Sequence, residues 1–264
     1  PTGDPALFVD LCREKRAILF DCGLLQSLSP GEILRISDVF VSHMHIDHFI
    51  GFDHLLRLHL GRGRRVRVFG PPGITACVRG KLQGYTWNLV RHQRLVFEVY
   101  EPVGDEIHVT EFVCRKRFRQ PKLSRRPATD VIFEDELLRV RWTALDHKTP
   151  SMAYVVGERD FYNVDPVRLK ACGLSPGPWL NELKALVRRA ALEGAQVEID
   201  GTAHSAEPLA KELLIHSPGR VLGYIADSAA SEENLAKAQA LMEGADLLYC
   251  EGAFLEEDRA RADE

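Results

Sequence analysis

The sequence predicts a layered α/β or α+β domain. Short β-rich runs alternate with helical patterns along the chain, and Gly, Pro or Asp bounds several of these runs, as is usual at strand ends. The chain has 264 residues, of which 45% are hydrophobic and 27% charged, so it allows a sizeable core and excludes a disordered or collagen-like class. We expect one domain over residues 1–264, with an inserted flexible arm at about 165–201.

Each predicted strand is a run of aliphatic, aromatic or β-branched residues. In chain order the predicted strands are Ala17–Phe20, Val39–Val41, Val66–Phe69, Leu95–Tyr100, Ile107–Phe112, Leu138–Thr143, Met152–Val156, Val221–Ile225 and Leu247–Cys250.

The predicted helices have apolar residues at helical spacing, and several have recognisable ends. Asp165-Pro166 and Ser231 are typical of helix starts, whereas Gly173 and Gly244 are typical of helix ends. In chain order the predicted helices are Phe52–Leu60, Ile74–Leu82, Val167–Ala171, Trp179–Leu192, Pro208–Leu214, Glu232–Met242 and one from Glu256 onward.

Charge is unevenly distributed along the chain. The formal net charge of −4 comes from 34 basic and 38 acidic residues. Residues 1–149 hold 23 basic and 18 acidic residues, or +5, which leaves 11 basic and 20 acidic residues, or −9, for residues 150–264. A basic surface is therefore compatible with a mildly acidic chain.

The cysteine pattern favours a reducing compartment. The six cysteines are scattered without a Cys-x-x-Cys pair, so we expect free thiols and a cytoplasmic location. No export signal is visible, and no apolar run approaches the roughly 18 to 20 residues of a membrane helix, so we expect no membrane partner.

Two segments resemble insertions. Residues 115–126 hold seven basic residues in twelve, which favours a solvated hairpin loop, with a nucleic-acid contact as the alternative. Residues 165–201 contain Pro176-Gly177-Pro178 followed by Trp179, which either packs as a plug or serves in docking.

The densest chemical motif runs from Val41 to His48. It places His43, His45 and His48 with Asp47 within six residues, directly after an apolar strand. In a helix, residues 43 and 45 would point roughly 200° apart, whereas in an extended segment they face the same side and bind one ion. Asp47 and His48 then turn toward a second ion. Imidazole suits zinc, and the carboxylate suits zinc, iron or manganese.

Two ions need more ligands than this motif supplies. His147 and Asp227 each follow a predicted strand, where layered α/β folds assemble their sites. Alone, His147 is more often structural and Asp227 more often a helix cap. Asp21, which also ends a strand, is either a turn residue or the partner that orients a ligating His.

These residues resemble the metallo-β-lactamase superfamily, whose motif is H-x-H-x-D-H, and within it the ribonuclease Z family. Further similar segments are Phe20-Asp21-Cys22-Gly23, Val68 to Gly73, His147 with Met152-Ala153-Tyr154, Ala226-Asp227-Ser228, and Cys250 to Phe254. The resemblance implies an αββα four-layer sandwich. The segment Pro176-Gly177-Pro178 resembles the flexible arm with which these enzymes hold tRNA.

The resemblance also implies a function. It implies a tRNA 3′-processing endoribonuclease with two Zn²⁺ ions per protomer, or Mn²⁺ or Fe in their place. One ion is held by His43, His45 and His147, and the other by Asp47, His48 and the bridging Asp227. Asp47 is the catalytic carboxylate, and precursor tRNA is bound by Pro176, Gly177, Pro178, Arg188 and Arg189. Family members are commonly homodimers, in which one protomer's arm serves the other's site.

Two departures from the family pattern bear on the metal centre. Cys250 stands where the family has a His implicated in proton transfer, and the family's last ligand His falls beyond Glu264. Either the given sequence omits terminal segments, or the second metal position is incomplete.

Two other functions remain open at this stage. One is a small-molecule metallo-hydrolase on the same fold, acting on a cyclic nucleotide, a lactone or an ester. The other is a metal-binding, non-catalytic partner in RNA processing.

Overall fold

The structure is a computed structural model that describes residues 3–11 and 14–252. The predicted helix from Glu256 lies outside these residues. The described chain divides into two compact units, the first formed by residues up to 135, 139–156 and 221 onward, the second by residues 136–138 and 157–220.

The strands are numbered β1 to β16 in chain order. Their bounds are Leu7–Leu11, Arg16–Phe20, Ile36–Phe40, Arg65–Phe69, Val96–Val103, Glu106–Val113, Lys122–Pro127, Val131–Glu134, Leu138–Asp146, Pro150–Glu158, Phe161–Val164, Gln196–Ile199, Thr202–Ser205, Leu214–Ser217, Val221–Ile225 and Leu247–Cys250. The α-helices, α1 to α7, are Pro30–Ile33, Phe52–His59, Ile74–Gln83, Pro166–Ala171, Trp179–Arg188, Ala206–Leu213 and Glu232–Met242. Two short 3₁₀ turns are Ile46–His48 and Cys114–Lys116.

Two sheets form the centre of the first unit. The larger has seven strands in the order β1 to β7, and the smaller has the order β16-β15-β10-β9-β8. Strands β2, β3, β4 and β5 run parallel to one another, while β1 pairs antiparallel with β2 and β6 pairs antiparallel with both β5 and β7. The ends of β2, β3 and β4 therefore lie at one edge of the larger sheet.

Alternating side chains give the larger sheet two different faces. On β3, Val39 belongs to an apolar cluster that also contains side chains of α1, α2 and α3. Phe40 points the opposite way, with its ring 4.5 Å from that of Phe69 and 5.4 Å from that of Tyr154 on the smaller sheet. The smaller sheet in turn packs Leu145 and Ile225 in one cluster with Leu241 of α7. The order of layers is helix, sheet, sheet, helix, as in the metallo-β-lactamase fold.

The second unit has its own apolar cluster and two small hairpins. Strand β11 pairs with β14, and β12 pairs with β13. Trp179 is only 6% exposed and packs in this cluster with Leu183 and Leu213. Of the two roles predicted for Trp179, the structure shows the packing one. Among the described residues, no helix combines the length and hydrophobicity that crossing a bilayer requires.

The predicted strands within the described chain are present, and the predicted helices begin within two residues of their observed starts. Helix α5 ends at Arg188 rather than Leu192, because the backbone at Ala190 enters the left-handed region with φ of 52°. Helix α1 and strands β1, β7, β8 and β11 to β14, each of four to six residues, were not predicted.

The hairpin-loop prediction for residues 115–126 is wrong in part. Its second half forms strand β7, because the backbone pairs with β6 even though most of its side chains are polar and exposed. Phe118, in the middle of the run, is buried at 1% exposure.

The aromatic side chains packed between the two sheets are expected to contribute to the free energy of unfolding. Replacing Phe40 by Ala removes contacts with Phe20, Phe69 and Tyr154 and leaves a cavity. We expect the free energy of unfolding in urea to fall by about 3–5 kcal/mol. The matched control is Leu89→Ala, since Leu89 is 86% exposed, and it should change stability by less than about 0.5 kcal/mol. Equal effects of the two substitutions would contradict this packing.

Candidate metal centre

The His-rich motif lies in the loop that follows β3. The chain leaves the sheet at Phe40, continues in extended form to His45, and then makes the 3₁₀ turn over 46–48. His43 and His48 are fully buried, whereas His45 is exposed. Because the loop is extended, His43 and His45 face one another, with His43 Nε2 2.9 Å from His45 Nδ1.

Two groups of side chains converge at this edge. In the first, ligand atoms of His43, His45, His147 and Asp227 all lie within 4.8 Å of one another. In the second, the same is true of His48, Asp227 and Glu251. Asp227 therefore belongs to both groups, which is the arrangement needed for a carboxylate shared by two ions.

His147 and Asp227 reach the centre from the smaller sheet. His147 directly follows β9, and Asp227 lies two residues beyond the end of β15. Both strand ends lie at the edge where β3 delivers the motif. Asp47 belongs to neither group, although its carboxylate oxygen lies 3.5 Å from His48 Nε2; its side chain is 46% exposed.

Distances around Asp227 test whether metal ions fit. Its Oδ2 lies 3.7 Å from Nε2 of His43 and 3.6 Å from Nε2 of both His48 and His147. These separations are too long for hydrogen bonds. They are close to the roughly 3.4 Å between neighbouring ligands of a tetrahedral zinc ion with bonds of about 2.1 Å. Nε2 of His48 is buried and has no hydrogen-bond partner among the residues that the structure describes, so this donor set fits metal ions.

Asp21 holds the centre from behind. Its side chain is fully buried, and its φ of 54° lies in the left-handed region. The carboxylate accepts hydrogen bonds from Ser42 N at 2.6 Å, from the Ser42 hydroxyl, from His48 Nδ1 at 2.8 Å and from the Tyr224 hydroxyl at 2.7 Å. Since Nδ1 of His48 donates to Asp21, its Nε2 is directed into the metal centre.

Ser42 extends this support to His43. Its hydroxyl donates to Asp21 and lies 3.0 Å from Nδ1 of His43. A proton on that Nδ1 is then donated to Ser42, which leaves Nε2 of His43 free to bind a metal. One buried carboxylate thus sets the orientation of two ligands.

The protonation states of the two buried imidazoles differ. Burial and the neighbouring imidazoles lower the pKa of His43 to about 4, which keeps it in the neutral form that binds metals. Burial also acts to lower the pKa of His48, but the hydrogen bond to Asp21 and the carboxylates of Asp227 and Asp47 raise it to about 10. Without a metal, the His48 imidazole therefore carries protons on both nitrogens, and so a positive charge, at neutral pH.

Glu251 was not among the predicted site residues, although it follows a predicted strand. Strand β16 pairs parallel with β15, and the backbone N–H of Glu251 donates to Ile225 O at 2.9 Å. This pairing places Glu251 beside Asp227. An acidic residue directly after a strand was the available signal, but the partner of that strand was not evident from the sequence.

The chain is similar in sequence to known metal-dependent hydrolases, in agreement with the geometry of the centre. A profile of the metallo-beta-lactamase superfamily matches residues 5–75. The ribonuclease Z of Deinococcus radiodurans is 35% identical over 98% of this chain and 78% of its own length. The chain belongs to the ribonuclease Z family.

Two further matches are to a second bacterial ribonuclease Z and to a solved human structure. The ribonuclease Z of Anoxybacillus flavithermus is 30% identical over 94% of this chain and 69% of its own length. Among solved structures, the short form of human tRNase Z matches with a TM-score of 0.40 and 21% identity, over 59% of this chain and 58% of that one.

The remaining predicted site residues lie in the second unit. Pro176, Gly177 and Pro178 precede helix α5, and Arg188 and Arg189 lie exposed at its other end, roughly 15 Å along the axis. A Cβ on Gly177 would approach Trp179 Cδ1 to 2.8 Å, so the loop requires glycine where it crosses the indole ring.

From the position of Asp21 we predict that its carboxylate affects both the pKa of His48 and the affinity for zinc. Asp21→Asn removes the negative charge that faces Nδ1 of His48, so the pKa of His48 should fall in the metal-free protein. It should also weaken zinc binding about 10–100-fold, because the orientation of the ligand is lost. The pKa is measured by NMR titration and the affinity by competition with a chromophoric chelator.

Asp53→Asn is the matched control, since Asp53 forms an ion pair with Lys81 and belongs to neither group of candidate ligands. It should leave both quantities unchanged. Wild-type zinc affinity in the Asp21 variant would show that Asp21 does not position His48.

Proposed function

We propose that this protein is a metal-dependent phosphodiesterase that cleaves precursor tRNA at its 3′ side. Asp227 carries the proposal, because its carboxylate lies between the Nε2 atoms of His43, His48 and His147. Membership of the ribonuclease Z family, with relatives of that name, supports the substrate.

We infer a centre for two zinc ions, with Mn²⁺ or Fe as alternatives. His43, His45 and His147 would hold one ion, and Asp47 and His48 the other, with Asp227 shared. Glu251 joins the proposed ligands of the second position, since it lies within reach of His48 and Asp227. When bound, such a pair lowers the pKa of a water and offsets negative charge on the attacked phosphate.

Asp47 is the proposed catalytic residue. Its carboxylate lies beside His48, yet nearly half of its side chain is exposed, so it reaches both the centre and solvent. A carboxylate in this position orients the attacking water and accepts its proton. The buried Asp21 cannot take this role, because its oxygens are already occupied by hydrogen bonds.

Protonation of the leaving 3′-oxygen needs another group. Cys250 stands at the position expected for a histidine, and burial together with Glu251 raises the pKa of its thiol. A thiol with a raised pKa is a poor proton donor near neutral pH. We therefore assign this proton to a water molecule.

The second unit supplies the proposed contacts to tRNA. The groove beside Pro176, Gly177 and Pro178 has a volume of about 410 Å³ and is lined in part by Glu182, Glu198 and Asp200. Acidic side chains repel phosphate, so the loop would contact RNA by shape and the charge contacts would come from Arg188 and Arg189.

Two further properties belong to the same proposal. The first is a cytoplasmic location. Precursor tRNA is made in reducing compartments such as the bacterial cytoplasm, and such a compartment keeps thiols reduced. The free cysteines of the described chain agree with this: Cys22, Cys77, Cys114, Cys172 and Cys250. The homodimer is an expectation taken from the family resemblance.

Replacing Asp47 by Ala tests the catalytic assignment. We expect cleavage of precursor tRNA to fall by at least about 10²-fold, because the water loses its proton acceptor. Thermal unfolding should be unchanged, since the side chain is half exposed. Asp130→Ala, which removes an exposed carboxylate elsewhere in the first unit, is the control. Retained cleavage in the Asp47 variant would overturn the assignment.

The arm is tested with two substrates. R188Q/R189Q should raise KM for precursor tRNA several-fold, because two phosphate contacts are lost. Hydrolysis of a small chromogenic phosphodiester should be unchanged. The control R79Q/R139Q removes two exposed arginines of the first unit that form no ion pair within the described part of the chain. If the wild-type protein hydrolysed only the small substrate, a small-molecule hydrolase would replace the proposed function.

A further inference from the structure

One edge of the larger sheet concentrates positive charge. Three segments meet there, residues 60–65, 84–95 and 113–123, which together we call the basic edge. They contain ten basic residues and no acidic one: Arg62, Arg64, Arg65, Arg91, Arg94, Arg115, Lys116, Arg117, Arg119 and Lys122.

Backbone pairing holds the three segments side by side. The N–H of Val96 donates to Arg64 O at 2.9 Å, and the N–H of Cys114 donates to Leu95 O at 2.9 Å. A Cβ placed on Gly63 would lie 3.5 Å from Cβ of Arg94. The charges are thus neighbours in space although they are up to 60 residues apart in sequence.

The basic edge lies opposite the metal centre. The centre follows the carboxyl end of β3, and β4 and β5 run parallel to β3. The basic segments precede β4 and β5 and follow the antiparallel β6, so they lie at the other end of these strands. Strand β5 has eight residues, so the two edges are roughly 25 Å apart.

The segment after β6 presents its charges from an ordered turn. Phe118 is buried, with its ring 4.9 Å from Trp87 in an edge-on contact. Backbone bonds from Arg117 N to Cys114 O at 2.7 Å and from Arg119 N to Lys116 O at 3.1 Å close the turn. Arg117 and Arg119, on either side of the buried ring, are exposed. Anchoring of this kind lowers the entropy lost when a ligand binds.

These charges lack acidic partners within the described chain. Arg65 forms ion pairs with Glu98 and Glu111, but none of the other nine forms one among the residues that the structure describes. Unpaired like charges repel one another, and a polyanion relieves that repulsion.

We propose that the basic edge binds the phosphate backbone of the RNA substrate at a distance from the scissile bond. This rests on the proposed function for the identity of the RNA. The edge adds affinity without reading bases, since phosphate contacts carry no sequence information. The residues of the basic edge belong to the first unit, and those of the arm belong to the second.

Binding measurements on the full chain test the proposal. R117Q/R119Q is compared with R79Q/R139Q for affinity to fluorescent precursor tRNA by anisotropy, over a range of salt concentrations. We expect R117Q/R119Q to bind about tenfold more weakly and the slope of log K against log salt to fall by about 1.5, for two lost phosphate contacts. Hydrolysis of a small chromogenic phosphodiester should not change, because the variant leaves the metal centre intact.

The outcomes separate the two proposals. If precursor tRNA is not cleaved by the wild-type protein, the proposed function fails, while the binding assay still tests the edge. Affinity and salt slope equal to those of the control would overturn the edge as an RNA contact. Binding to phosphatidylserine vesicles that is lost in R117Q/R119Q, with RNA binding unchanged, would overturn it in favour of a membrane surface.

A second variant guards against local unfolding of the turn. R94Q/R115Q changes neighbouring charges outside the Arg117–Arg119 segment and should weaken RNA binding and the salt slope by similar factors. R117K/R119K should keep most of the wild-type affinity that R117Q/R119Q loses, because lysine keeps the positive charge although it lacks the guanidinium group. Failure of both expectations would contradict a charge-based contact.

Discussion

The buried carboxylate of Asp21 is the constraint on which the centre depends. An ionised group without partners is costly to bury, and here Ser42, His48 and Tyr224 supply donors to both oxygens. Ser42 and His48 belong to the motif loop, whereas Tyr224 belongs to the smaller sheet. The same carboxylate therefore orients metal ligands and joins two layers of the fold.

The alternation of side chains on the inner strands explains why the centre forms at an edge. Val39 faces the helices and Phe40 faces the second sheet, so both surfaces of the sheet are covered by apolar groups. The metal-ligating side chains lie beyond the strand ends, where the apolar layers stop. Parallel strands direct those ends to one side, which brings His43, His147 and Asp227 together from different parts of the chain.

The two opposite edges of the larger sheet carry different kinds of charged side chains. Carboxylates gather with imidazoles at one edge, where they suit cations. At the other edge ten basic residues gather without an acid in the same segments, where they suit phosphate. The total of −4 conceals this separation, since acidic residues after position 149 offset it in the sum. A phosphodiesterase for a long polyanion needs both kinds of surface, and the sheet holds them apart.

The sequence by itself determined the local chemistry. Runs of β-forming residues alternating with helical patterns predicted the layered class and most of the core strands. The two-residue spacing of His43 and His45 predicted that these side chains face the same ion. Tertiary structure alone decided what distant segments do. Glu251 joins the centre because β16 pairs with β15, β7 forms because β6 offers it a partner, and Phe118 is buried beneath a basic run because Trp87 packs against it. Such contacts depend on strand pairing across long separations, which residue spacing does not encode.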